Sequence, residues 1–157
     1  MLKGKRVLLI GAGGAARALG FGLIHYGANI YITNRTESRG NVLAKELGAK
    51  FLPFSGISSI SNYEIIVNTT SIGMYPNIDE RPLPGMKFSK GQVVFDAVYN
   101  PEKTKFLLDA EKDGAQIITG MEMFIYQAVE QIKIWFNISP PVEVMEEVFR
   151  RRMYNEV

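Results

Sequence analysis

Gly11, Ala12, Gly13, Gly14 and Ala15 stand directly after the apolar run Arg6–Ile10 and at the head of a stretch rich in Ala and Leu. A tight turn at Gly11, with no Cβ at Gly13, lets backbone come close to an anion. The helix that should follow presents unpaired N–H groups and the positive end of its dipole, which suits a pyrophosphate. A glycine pattern alone can equally be a turn that closes strand–helix packing. Its place between a buried strand and a helix favours a dinucleotide site.

The end of the next strand selects the dinucleotide. NAD sites usually place a carboxylate about 20 residues after the loop, to accept from the ribose 2′-hydroxyl. Here that place holds Asn34, Arg35 and Thr36, with Arg39 one helical turn on. The two guanidinium groups can pair with a 2′-phosphate, Thr36 can donate a hydroxyl hydrogen bond, and Arg35 can stack on an adenine. Two merely solvated arginines at a helix start would oppose the dipole. The pattern predicts NADP.

Further candidates lie where later strands should end, since ligands of open α/β sheets sit beyond the carboxyl ends of the strands. The run Asn68, Thr69, Thr70, Ser71, Ile72, Gly73, Met74 is small and polar and can line the nicotinamide side, or it can be only a turn. Asp96, Ala97, Val98, Tyr99, Asn100, Pro101 follow a fifth strand and can aim the Tyr99 hydroxyl at the same crevice. Gly120 would allow close approach to a ring, and Met123 and Gln127 share one helix face beyond it. Gln127 falls among apolar neighbours, where a lone amide needs a partner. Asp96 and His25 read as structural. The expected cofactor set is Gly11 to Ala15, Asn34, Arg35, Thr36, Arg39, Asn68 to Ser71, Met74, Val98, Gly120 and Met123.

These residues need a scaffold, and the chain has the size for one. Its 157 residues are 46% hydrophobic and 22% charged, enough for one domain with a core. A net charge of +2 gives no sign of a nucleic-acid or membrane-surface partner. The absence of cysteine removes disulfides, thiolate metal sites and cysteine nucleophiles, and a single histidine removes a histidine cluster, so no metal site is expected. No apolar run reaches the roughly 20 residues of a membrane span, and the start does not read as a signal peptide. A cytoplasmic location is expected.

Strands are predicted at Arg6–Ile10, Asn29–Thr33, 50–54, 64–68, 92–96 and 115–119, with helices at 15–26, Glu37–Leu47 and 104–113. A proline-containing surface loop is expected over 74–91. Alternating strands and helices imply an α/β fold, a Rossmann-type doubly wound parallel sheet of about six strands in the order 3-2-1-4-5-6. Two C-terminal helices, 122–136 and Val142–Tyr154, are split by Ser139, Pro140 and Pro141. The first is apolar on more than one face, through residues such as Ile132, Trp135 and Phe136, so it needs neighbours on several sides. Those neighbours can belong to this domain or to another domain or subunit.

The ordered set 11–17, 34–39, 68–74, 96–101 and 120–127 resembles the C-terminal half of the shikimate dehydrogenase family and spans nearly the whole chain. The resemblance implies NADP-dependent, reversible reduction of 3-dehydroshikimate to shikimate in aromatic amino-acid biosynthesis, on the route to chorismate. It implies that Asn34, Arg35, Thr36 and Arg39 read the adenosine phosphate end. It places Thr69, Ser71, Gly120 and Met123 near the nicotinamide, with Tyr99 and Gln127 touching substrate. In the family a Lys/Asp pair that handles the proton comes from an N-terminal domain. Residues 1–157 are therefore expected to form one cofactor domain whose tail, about 121–157, packs on that domain. No catalytic residue is expected in this chain, and turnover by the chain alone is not expected. Two alternatives stand beside this: a non-catalytic NADPH-binding module, and a quinate-type dehydrogenase.

Overall fold

A computed structural model of the chain describes residues 2–154; the parts of the expected domain at Met1 and 155–157 lie outside them. The elements run β1 (Arg6–Ile10), α1 (Gly14–His25), β2 (Asn29–Thr33), α2 (Glu37–Leu47), β3 (Lys50–Phe51), β4 (Ile65–Asn68), β5 (Val93–Asp96), α3 (Lys105–Lys112), β6 (Gln116–Ile118), α4 (Gly120–Phe136) and α5 (Val142–Tyr154). The strands form one parallel sheet in the order β3-β2-β1-β4-β5-β6. This is the expected doubly wound order, with the reversal between β1 and β4, where such folds open a crevice.

Strand periodicity explains why β1 is apolar throughout. Val7 and Leu9 point into one core with Ala16 of α1 and Leu43, Ala44 and Leu47 of α2. Leu8 and Ile10 point to the opposite face, with Ile66, Val94 and Phe106, Leu107 and Ala110 of α3. A central parallel strand covered on both sides has no solvent face on which to place polar residues.

Two expectations needed correction. The strand expected over 50–54 pairs only at Lys50 and Phe51, and a 3₁₀ turn, Phe54–Gly56, follows Pro53. Proline carries no N–H for the ladder, so pairing stops before it. The stretch 74–91 is irregular as expected, but it is not all surface: Pro82, Leu83 and Phe88 are buried. No helix links β4 to β5, so this loop covers the sheet face that a crossover helix would have covered, and the Phe88 ring meets that of Phe106 edge to face at 5.3 Å.

The last helices form a separate cluster. Met121, Ile125 and Val129 of α4 are buried against Val142, Met145 and Phe149. The far end of α4 is different: Ile134, Trp135 and Phe136 are exposed, as is Ile138 beyond it. Among the described residues no helix is long and apolar enough to cross a membrane.

Candidate functional site

The turn after β1 is held from both sides. Gly11 N–H donates to the Thr33 carbonyl at 2.8 Å, while Thr69 N–H and Oγ1 both donate to the Ile10 carbonyl, at 2.9 and 2.7 Å. Gly11 has φ of 115°, and a Cβ there would collide with Thr69 Oγ1. Any side chain at this position is therefore both strained and obstructed. Gly13 and Gly14 differ: a Cβ on either would meet nothing within 4 Å. Gly13 caps α1 without a side-chain hydrogen bond, and no acidic residue occupies the first turn. The helix thus opens its free N–H groups onto unfilled space, the arrangement an anion requires.

That space is one end of a cleft of about 300 Å³. Gly11, Ala12 and Gly13 form its floor, Asn34, Arg35, Thr36 and Arg39 one wall, and Thr69, Thr70 and Ser71 the other. Asn34 Nδ2 donates to the Thr36 carbonyl at 2.8 Å and so shapes the turn into α2. Thr36 caps α2 by backbone alone, which leaves its hydroxyl uncommitted to the helix. Arg35 and Arg39 are exposed, and among the described residues neither forms an ion pair. Arg17, by contrast, is engaged with Glu46. Two unpaired guanidinium groups therefore flank the end of the cleft away from the glycine turn.

Of the lining residues, Phe54 was not among the sequence candidates, and Ile72 belonged to the candidate run after β4 but not to the expected cofactor set. Phe54 and Ile72 supply apolar surface to the same cleft. Phe54 was expected inside a strand, and Pro53 was the available sign that the chain leaves the sheet just before it. Gly14 and Ala15 lie in the first turn of α1 rather than along the cleft wall.

The remaining candidates fall outside that cleft, at the ends of β4, β5 and β6. Asn68 is buried, and both ends of its amide are engaged within the protein. Its Nδ2 donates to Asp96 Oδ1 at 2.9 Å, and its Oδ1 accepts from Thr70 N–H at 3.0 Å and Thr70 Oγ1 at 2.7 Å. Asp96 is buried too, accepting from Val98 N–H at 3.0 Å and Thr104 Oγ1 at 2.6 Å. Burial pushes its carboxyl up to about 6, against the pull of the hydrogen bonds from Thr104, Val98 and Asn68. It sits beneath the crevice, the structural place expected of it.

A Cβ on Gly120 would strike the carbonyl oxygens of Val98 and Ala97, so the start of α4 rests directly on the backbone after β5. Val98 is buried against this contact. Gln127 is exposed on α4, not enclosed by apolar neighbours, because the buried face of that helix runs through Met121, Ile125 and Val129. Met123 is half-buried, and Met74 is exposed. The Tyr99 ring meets that of Phe124 at 5.1 Å and that of Phe149 at 6.0 Å, joining the loop after β5 to both terminal helices. Among the described residues no group of three or more His, Cys, Asp or Glu could hold a metal ion.

Comparison with known proteins gives matches to two family models: Shikimate / quinate 5-dehydrogenase over residues 1–96, and Shikimate 5′-dehydrogenase C-terminal domain over residues 120–148. A shikimate dehydrogenase (NADP(+)) of Methanosarcina mazei is 39% identical over 154 residues, covering 93% of this chain and 55% of that protein. A crystal structure of a shikimate dehydrogenase in complex with NADP+ superposes with a TM-score of 0.87 at 38% identity, over 96% of this chain and 55% of the other. The shikimate 5-dehydrogenase of Thermus thermophilus, in complex with NADP(H) and shikimate, gives 0.84 at 33% identity, over 96% and 56%. The chain thus spans about half the length of the curated relatives it matches.

Proposed function

The chain belongs to the shikimate / quinate 5-dehydrogenase family, and from that premise we propose that it is the NADP-binding domain of a shikimate dehydrogenase. The observation that carries this reading is the pairing, across one cleft, of an uncapped helix start with the unpaired Arg35 and Arg39. The cleft fits the cofactor: open space over Gly13 and Gly14 takes the pyrophosphate, and the two cations with the Thr36 hydroxyl take the 2′-phosphate. Thr69, Thr70 and Ser71 line the facing wall. Bound there, NADP supplies hydride transfer to and from a carbon–oxygen centre, and the protein supplies orientation.

The reaction assigned is reversible reduction of 3-dehydroshikimate to shikimate, in a cytoplasmic setting for which a chain without cysteine is suited. Tyr99, in the loop after β5, and Gln127, two turns into α4, are assigned to the substrate side. The Lys/Asp pair that handles the proton is assigned to an N-terminal domain outside these 157 residues. A length of about 55% of the relatives supports that assignment. So do Trp135 and Phe136, 67% and 66% exposed at the far end of α4, beyond its buried residues Met121, Ile125 and Val129. These rings would be covered by the same domain.

Fluorescence titration of the chain should show NADPH bound well above NADH. Shikimate oxidation should be absent from the chain alone and restored by a separately produced N-terminal domain of the family, with quinate assayed in parallel. Preference for NADH overturns the cofactor assignment. NADPH binding with no activity in any mixture identifies a non-catalytic module, and faster oxidation of quinate reassigns the substrate.

A further inference from the structure

We propose that Asp96 is a positioning residue for dinucleotide binding, its buried carboxylate tying the loop after β4 to the loop after β5 across the crevice. The proposal rests on the cofactor assignment above and deepens it.

Asn68 and Asp96 are the last residues of neighbouring strands and stand opposite each other in the β4–β5 register. Both point polar groups into a place where solvent has no access. Three donors converge on the Asp96 carboxylate, each from a different segment: Asn68 Nδ2 from β4, Val98 N–H from the loop after β5, and Thr104 Oγ1 from the N-cap of α3. A carboxylate is acceptor-only, so it can satisfy all three at once.

The connection reaches the cleft through Asn68. With its Nδ2 drawn to Asp96, the Asn68 carbonyl is turned to receive the N–H and hydroxyl of Thr70. The Thr70 oxygen accepts in turn from Ile72 N–H at 3.3 Å. Thr70 and Ile72 both line the cleft that faces Arg35. On the other side, the Val98 carbonyl is the surface on which Gly120 and the start of α4 rest. One side chain therefore sets the position of the wall opposite the arginines and of the segment that carries Tyr99.

Burying a carboxylate is unfavourable, and burial raises this group toward neutrality. A pair of apolar residues would hold two strands together at lower cost. It could not orient Thr70, because no side-chain oxygen at position 68 would accept its N–H and hydroxyl. The polar group is explained by what it aims.

The test compares Asp96→Ala, Asp96→Asn and Thr104→Val with the wild-type chain, under conditions where circular dichroism shows all to be folded. Asparagine can accept from Asn68 and Val98 while donating to the Thr104 oxygen, so it should restore what alanine loses. Asp96→Ala is expected to weaken NADPH about tenfold or more, with the NADPH-to-NADH ratio unchanged. Its Thr70 and Val98 amides should exchange with solvent about tenfold faster, while Leu8 and Leu9 stay protected. Asp96→Asn should bind within about threefold of wild type, and Thr104→Val should fall between. If alanine does not fold, Thr104→Val and Asp96→Asn carry the comparison. Unchanged Thr70 and Val98 exchange together with NADPH affinity within twofold, in whichever disruptive variant folds, overturns the proposal. Failure of the wild-type chain to bind NADPH overturns the cofactor assignment, and the exchange rates still decide whether Asp96 sets the two loops.

Discussion

Thr69 Oγ1 donates to the Ile10 carbonyl at 2.7 Å, and in doing so it occupies the place that a Cβ on Gly11 would need. The glycine turn and the loop after β4 are thus fitted to each other before any ligand arrives. Gly13, two residues on, faces open space.

That contrast separates two roles within one motif. Gly11→Ala combines strain at a φ of 115° with displacement of Thr69, and should lower stability by about 1–3 kcal/mol. Gly13→Ala meets no obstacle at a φ of −93° and should change stability by less than about 0.5 kcal/mol. NADPH affinity should nonetheless fall sharply in Gly13→Ala, because its Cβ stands where the pyrophosphate is assigned. Urea unfolding and fluorescence titration of both variants check this; equal stability losses would contradict it.

Arg35 and Arg39 should govern cofactor choice and little else. Removing the guanidinium in Arg35→Ala is expected to cost about 1.5–3 kcal/mol of NADPH affinity, on the scale of charged hydrogen bonds. NADH affinity should move far less, so the ratio of the two falls by about tenfold or more. Added salt should weaken NADPH more than NADH, since exposed cations are screened. A parallel loss for both nucleotides would assign Arg35 to the adenine alone.

The buried Asp96 predicts a pH signature in stability. Its carboxyl titrates at about 6 in the folded chain against 3.8 away from the protein interior, so the folded state holds the proton more tightly. Between those values the folded chain binds more protons than the unfolded, and stability falls as pH rises. The penalty is complete above about pH 6 and amounts to about 3 kcal/mol. Glu64 and Asp79, held low by Arg6 N–H and by Lys105 respectively, slope the other way. The measurement is therefore the difference between Asp96→Asn and wild type in urea midpoints from pH 4 to 7. The variant should gain relative to wild type as pH rises, and a flat difference would show that Asp96 does not titrate there.

Gly120→Ala sets two effects against each other. Alanine raises helix propensity by up to about 1 kcal/mol. The new Cβ, however, would strike the Val98 and Ala97 carbonyl oxygens, both backbone and unable to rotate away. Overpacking of this kind costs about 1–3 kcal/mol, so net destabilisation is expected, together with movement of α4 away from the end of β5. A thermal shift to higher temperature would mean that the backbone after β5 yields.

The sequence by itself determined the order and type of the elements, because each is specified locally. The double-sided apolar runs of β1 and β4 require a covered parallel sheet, and Asn29–Thr33 and Glu37–Leu47 were legible to the residue. The glycine turn and Arg35 with Arg39 were legible for the same reason: their chemistry depends on spacing along one βαβ unit. Tertiary structure decided what distance in sequence conceals. Asn68 and Asp96, 28 positions apart, become partners only when β4 and β5 lie side by side. Register, not composition, turned the Asn68 amide inward and away from the cleft. Phe54 reached the cleft because Pro53 ended pairing, and Gly120 packs on the Val98 and Ala97 carbonyls because the ends of β5 and β6 lie side by side. A residue type states which bonds a side chain can make, and only the packed neighbours state which of them it has already made.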